Sequence, residues 1–422
     1  MIKMQSKFKE TEIGSVPEEW DVFEFGKIAK LSKENYLPRN GVELCYIGLE
    51  HIEQQTLSLN SIGKSSKVTS VKSKFTEGDI LFGKLRPYFR KVYRPNFSGI
   101  CSTDIWVIQA KPGIDQGFLF YLIASEEFIK RASGGSGGTR MPRADWNHLK
   151  EELWPIPNNI NEQKRIAEIL GALDEMIELN QRINDTLEKI ASAIFKHWFV
   201  DFDFPNEQGN PYKSSGGKMI ESELGMIPKE WKVGKLQEII QIQNGFAFKS
   251  EDYAKNGVPI VRTTNFTNRS ITMDSPVYLT KKKAKEYENF YLNTFDFLLV
   301  MVGASIGKWV ITPSHILPAL QNQNMWNFKS KKDVTKFYNI ELLKILVNQQ
   351  ANTASGSARD FFRKDHFYSL DVLIPNDKIV DIFERCVTEI FKKIDSNLSQ
   401  IKNLSQIRDS LLHHLMSGKI RV

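Results

Sequence analysis

The sequence predicts an α+β protein (mixed α/β) built twice: two duplicated globular domains separated by two long helices packed as an antiparallel coiled coil. Three observations predict it. Motifs recur in the same order in the two halves of the chain. Each half ends in a long helical segment free of proline and striped with apolar residues at heptad spacing. Before each helix, short strand-like runs alternate with clusters of Gly, Pro and Asn.

The recurrence opens with ETEIGSVPEEWDV at 10–22 and ESELGMIPKEWKV at 221–233. Gly14, Pro17, Trp20 and Val22 return, equally spaced, as Gly225, Pro228, Trp231 and Val233. Further on, Asp79-Ile80-Leu81 matches Asp296-Phe297-Leu298, Lys91 matches Lys308, and Ile105-Trp106 matches Met325-Trp326. His148 and Ile156-Pro157 match His366 and Ile374-Pro375. A period of about 215 residues is far too long for a solenoid and implies a duplicated domain.

Strand-like runs include Leu44–Leu49, Ile80–Phe82, Trp106–Ile108 and Phe297–Val302. The first helix is predicted over 162–199 and the second over 379–417, each spanning roughly 55 Å at about 1.5 Å per residue. Leu173, Ile177, Asn180, Asn184, Leu187, Ala191, Ile194 and Trp198 form the first seam. Ile390, Ile394, Asn397, Ile401, Leu404, Arg408, Leu411 and Leu415 form the second, position by position. Asn180 and Asn397 occupy the same seam position, and a polar residue there sets register at a cost in stability. Gly418 supplies the second helix's stop. PNEQGNPYKSSGGK at 205–218 reads as a linker.

Composition narrows the function. With 422 residues, 41% hydrophobic and 25% charged, the chain is an ordinary globular sequence of two or three domains. Cys45, Cys101 and Cys386 are too few and scattered for a disulfide framework, and no CxxC or HxxxH pair suggests zinc. No apolar run approaches the roughly 18 residues needed to span a bilayer. MIKMQSKFKE lacks the apolar core of a secretory signal, so a cytoplasmic protein is expected, with no membrane association. A net charge of +7 is compatible with a polyanionic partner without requiring one.

Basic and polar clusters are more informative. GKLRPYFRKVYR at 83–94 holds Lys84, Arg86, Arg90, Lys91 and Arg94 with no acid, interleaved with Tyr88, Phe89 and Tyr93. Such a run can neutralise phosphates and read guanine edges, or it can be the solvated face of a strand pair. SGGSGGTRMPR at 133–143 offers Thr139, Arg140 and Arg143 on a glycine-rich loop that admits close backbone approach. Its counterpart at 355–364 offers Arg359 and Arg363. In the second half, Gln243 and Asn244 of QIQNGFAFK, and Arg262 and Asn265 of RTTNFTNR, suit adenine edges but also suit turns. Ser305 and Lys308 of GASIGK complete the set of candidate DNA contacts.

Enzymatic alternatives fail on spacing. GASIGK has three residues between its glycines where a phosphate loop has four, and Trp309 stands where Ser or Thr is required. NPY at 210–212 lacks a second proline and lies in the linker, and no GxGxxG or GxSxG pattern occurs in the right context. His413-His414 closes a helix, where it complements the dipole.

The motifs IGSVPEEW and LGMIPKEW, GDILFGKLRP, IPNNINEQKRIAEIL, IFKHWFVDF and LLHHLMSGKI together resemble the DNA specificity subunit of type I restriction–modification systems. FDFLLVMVGASIGK stands where the family often has a Gly-Asp-Ile-Leu plus Gly-Lys pattern. NDKIVDIF after Pro375 departs from the family's usual Glu-Gln helix start. The resemblance implies target recognition domains at 1–157 and 221–375, conserved helices at 158–204 and 376–422, and a linker at 205–220. It implies a non-catalytic subunit in which each recognition domain reads half of an asymmetric, bipartite site in double-stranded DNA. The helices would set the spacing and dock two methyltransferase subunits, with motor–nuclease subunits joining the complex. S-adenosylmethionine, ATP and magnesium would be used by those other subunits, and no cofactor by this chain. The competing reading is a protein-binding scaffold without direct DNA readout.

Overall fold

A computed structural model of the chain describes residues 7–37, 42–134, 141–266, 270–273, 276–303, 305–332, 335–353 and 363–422. The fold divides into two compact units, one formed by Met1–Leu179 with Lys402–Val422 and one by Asn180–Ile401.

The first unit begins with a hairpin, Phe8–Thr11 against Gly14–Pro17. Trp20–Glu24 then pairs antiparallel with Leu153–Pro157, so the start of the globular part closes on its end. Between them lie two sheets. One has the order Val92–Tyr93, Ile80–Gly83, Ile105–Ala110, Ala29–Leu31. The other has the order Asn35–Tyr36, Lys72–Phe75, Gly99–Cys101, Cys45–Ile47, Gly63–Lys64. Among its described strands, the Gly99–Cys101/Cys45–Ile47 pair is parallel and the other pairs are antiparallel.

Ile80–Gly83 reads as an unbroken apolar run because both of its faces are covered. Ile80 and Phe82 join Phe118, Leu122 and Phe128 of the helices Gln116–Ala124 and Glu126–Gly134. Leu81 points the other way, toward Ile47, Phe75, Cys101 and Val107.

The second unit repeats this plan. Its four-stranded sheet has the order Trp309–Ile311, Phe297–Val300, Met325–Ser330, Ile240–Asn244, the same topology strand for strand. Phe297 and Leu299 face one core while Leu298 and Val300 face another. In the second sheet Leu320–Gln321 again runs parallel to an earlier strand, Val258–Val261, and Tyr291 bridges antiparallel to Leu320. The sheets differ at their rims: Asn35–Tyr36 extends the first unit beyond Lys72–Phe75, and Tyr253–Ala254 extends the second beyond Val277–Leu279.

The long helices span Ile160–Phe195, continued by a π turn at Lys196–Val200, and Asp377–Met416. Within each unit the two helices run antiparallel. In the first, Asp174 pairs with Arg408, and Glu162 with Arg421 beyond the helix end. In the second, Asn184 pairs with Asn397, and Phe195 packs on Phe383 with ring centroids 5.9 Å apart.

The register residue therefore differs from the sequence expectation. Asn180 is buried, but Asn397 donates to Asn184. Within the second unit the seam residue opposite Asn397 is Asn184, about one helical turn beyond Asn180. The segment expected as a linker is folded turn on turn, with Tyr212 stacked on Phe204 at 4.6 Å and Ser214 donating to Asp203. Gly418 ends the second helix at φ +67°, and a Cβ there would lie 2.2 Å from Pro17 Cγ, so the close approach requires glycine.

Candidate nucleic-acid interface

In the first unit, the strand Ile80–Gly83 delivers the chain into the basic segment at its end. Two candidate segments far apart in sequence become neighbours there. Arg86 N donates to Pro142 O at 2.7 Å, Ala144 N donates to Lys84 O at 2.8 Å, and Leu85 bridges antiparallel to Arg143. Lys84, Arg86, Tyr88 and Arg143 thus share one edge of the unit.

Arg86 and Arg90 flank a single 3₁₀ turn, Pro87–Phe89, and both adopt left-handed backbone conformations, at φ 52° and 48°. Such values are rare for residues other than Gly and Asn and mark locally held strain. The turn pushes Tyr88 outward to 47% exposure. Arg86 carries its guanidinium 6.0 Å from the Phe89 ring, and its Nε is buried without a hydrogen-bond partner.

Two of the predicted contacts are turned inward. Lys91 Nζ donates to the carbonyls of Leu49 and Ile52, and burial pulls its pKa down. Arg90 Nε donates to Ala124 O at 2.7 Å and its Nη2 to Asp409 at 3.2 Å, with burial dominating its environment. Both basic groups are occupied in holding the loop, because several carbonyls converge beneath it. Arg143 is half exposed, with Nε 3.2 Å from Asp104 Oδ1. Thr139 and Arg140 lie outside the described residues.

In the second unit the corresponding edge carries different chemistry. Gly307 N donates to Val300 O and Lys308 N to Ser305 O, which folds a turn with Ser305 half-buried. Lys308 is exposed, unlike its counterpart Lys91. Asn244 is exposed at the end of its strand, while Gln243 is half-buried and donates to Asn289 O. Gly245 then passes so near Asn322 that a Cβ would lie 1.8 Å from its carbonyl oxygen.

Asn265 does not fit the predicted role. It is 5% exposed, and its Oδ1 accepts the Arg262 N–H at 2.9 Å, closing the 3₁₀ turn Thr263–Asn265. Asx-type side chains satisfy their own backbone in this way, which the turn reading of that segment anticipates. Arg262 is half-buried where the turn begins, and Arg363 is exposed before the helix Lys364–Tyr368. Arg359 lies outside the described residues.

Sequence reasoning missed a pair of matched turns at these edges. Asp104 O accepts Lys84 N–H at 2.9 Å, and Asn324 O accepts Met301 N–H at 3.3 Å at the equivalent place. Ser102-Thr103-Asp104 and Asn322-Gln323-Asn324 thus border the two loops with different polar groups. The recurring Ile105-Trp106 and Met325-Trp326 that follow them were the available signal.

Among the described residues, no group of three or more His, Cys, Asp or Glu side chains could hold a metal ion, and no helix is long and apolar enough to cross a membrane.

The type I restriction modification DNA specificity domain matches residues 17–189 and again residues 228–403. The chain belongs to this family. The specificity subunit of the MjaIX type I restriction enzyme of Methanocaldococcus jannaschii is 26% identical, with 100% of this chain and 98% of that protein covered. The HindI specificity subunit of Haemophilus influenzae is also 26% identical, over 83% of this chain and 88% of that protein. The crystal structure of the type I restriction–modification S subunit from M. genitalium shares the fold, with a TM-score of 0.53 at 16% identity over 94% of this chain and 96% of that one. The family assigns this fold a DNA-specificity role in restriction–modification, as the non-catalytic subunit.

Proposed function

We propose that each unit reads one half of an asymmetric, bipartite site in double-stranded DNA, the first through Lys84, Arg86, Tyr88 and Arg143 and the second through Asn244, Lys308 and Arg363. The observation that carries this reading is the main-chain junction between the basic loop and the 141–144 segment, which gathers cationic and aromatic groups on one edge. Arginine can read guanine in the major groove, lysine anchors phosphates, and asparagine suits adenine. Like frameworks with unlike polar rims would give two different half-sites. Half-sites read from one face of the duplex are separated by about 34 Å per helical turn, and a stiff helix pair suits that spacing.

The long helices are also the docking surface for two methyltransferase subunits, with motor–nuclease subunits joining them. In the first unit, Ile169 and Met176 are exposed on the central helix one heptad apart, with Leu179 exposed three residues further on. In the second, Ile190 continues the same heptad phase. Such a stripe suits burial against a partner helix.

The test is adenine methylation mapped across the genome in cells with and without this gene, beside its methyltransferase partner. Methylation at one asymmetric two-part motif disappears when the gene is removed. An unchanged map, together with DNA affinity that does not fall with salt, overturns the reading in favour of a protein scaffold.

A further inference from the structure

Beneath the basic loop of the first unit lies a partly buried ionic cluster that the DNA-reading role does not use directly. Arg408, on the second long helix, is 1% exposed. Its Nη1 donates to Asp174 Oδ1 at 2.8 Å and its Nη2 to Asp409 Oδ1 at 3.1 Å. Asp409 Oδ1 also accepts Arg90 Nη2 at 3.2 Å, so one carboxylate oxygen serves two guanidinium groups. Tyr121 completes the cluster by donating to Asp174 at 2.6 Å.

The same cluster reaches a second loop. Arg408 Nη1 lies 3.4 Å from Thr56 O, and the neighbouring Gln55 donates through its side chain to Tyr88 O and through its backbone to Phe89 O. Four residues with positive φ that are not glycine meet here: Gln55 at 66°, Leu57 at 61°, Arg86 at 52° and Arg90 at 48°. A left-handed backbone at four such residues persists only where surrounding contacts impose it. The contacts that impose it are Arg90 on Asp409, Arg408 on Thr56 and Gln55 on the Tyr88–Phe89 backbone.

We propose that Arg408 and Asp409 are positioning residues that tie the shape of the Arg86–Arg90 reading loop to the seating of the second long helix. This rests on the proposed reading of DNA by that loop. Without Asp409 no carboxylate bridges Arg90 and Arg408; Asp174 stays with Arg408, the hold on Arg90 weakens to its bond to Ala124 O, and the turn presenting Arg86 and Tyr88 relaxes. Among the described residues the second unit has no counterpart of this device. In the repeat, Ala191 stands where Arg408 does and Ser192 where Asp409 does, and Ala191 is packed in an apolar core.

Asp409 is the site to test, because its side chain is 44% exposed and its loss leaves the core packed. The complete complex, with its methyltransferase partners, is expressed carrying D409A, D409E or R86A, and methylated motifs are mapped. R86A identifies the half-site read by the first unit. D409A is expected to relax that same half by about tenfold in discrimination, to leave the other half unchanged, and to be rescued by D409E. Equal loss at both halves, or no loss at either, overturns the proposal. If the unmutated complex methylates no motif, the DNA-reading assignment itself fails, and amide exchange decides the structural tie. Exchange at Phe89 and Arg90 then quickens in D409A while that at Gly307 and Lys308 does not; unchanged exchange at Phe89 and Arg90 overturns the tie.

Discussion

Asn397 donates its side-chain amide to Asn184 Oδ1 at 2.8 Å, and both residues are buried between the two long helices. Asn184 in turn directs its own amide toward Ile394 O, 3.4 Å away. A hydrogen-bonded amide pair on an otherwise apolar seam can be satisfied in one register and is left unpaired in the neighbouring ones.

Removing one member should therefore cost more than removing both. Asn184→Leu strands the Asn397 amide and is expected to destabilise the second unit by about 1–3 kcal/mol. The double change to Leu is expected to recover most of that loss while loosening register. Thermal melting of the single and double variants, with the methylated spacer length, checks this. A double variant less stable than either single one removes the register role.

Outward-facing and inward-facing members of the candidate set should separate in binding assays. Arg86→Ala is expected to lower base discrimination by about 1–3 kcal/mol, and Lys84→Ala to reduce the salt slope by about one unit. Asn265→Ala should instead lower the melting temperature, since it removes the acceptor for Arg262 N–H. Competition binding by the assembled complex at several salt concentrations, beside melting curves, distinguishes these effects.

Gly245→Ala places a methyl group 1.8 Å from Asn322 O, where backbone rather than a flexible side chain must move. The expected result is loss of the half-site read by the second unit, with the other half retained. Full activity at both halves would mean that Gly245 and Asn322 are not held in close contact.

Glu384 carries a pH dependence. Burial raises its pKa from 4.5 to about 7, although its carboxylate accepts the Tyr338 N–H at 2.8 Å. The folded pKa lies above the unfolded one, so the native state binds more protons between them. The stabilising contribution is present below about pH 4.5 and is lost as pH rises through 7. Its size is up to about 3 kcal/mol. Denaturant melts of the unmutated chain and Glu384→Gln across that window should diverge as pH rises, with Gln the flatter. Parallel curves would place the carboxylate in contact with water.

The duplication, the two helices and the strand-like runs Ile80–Phe82 and Phe297–Val302 were legible in the sequence, since each rests on local spacing. Repeated Gly, Pro and Trp positions identify equivalent folds, heptads identify a seam, and an unbroken apolar run identifies a strand covered on both faces. The folded 205–218 segment was not legible. Its composition is that of a linker, and contacts made in the fold, the stacking of Tyr212 on Phe204 and the bonds of Ser214 to Asp203 among them, order it.

By itself the sequence determined the architecture and the family of this protein, because periodicity and motif order are properties of the chain alone. The tertiary structure decided which charged groups face outward. Lys91 and Lys308 are matched in the repeat, yet Lys91 is spent on the carbonyls of Leu49 and Ile52 while Lys308 is exposed. Arg90 looks as free as Arg86 until Asp409, far along the chain, comes to rest beside it. A side chain's hydrogen-bond partners are set by distant backbone and carboxylate groups, and those meet it only once the chain has folded.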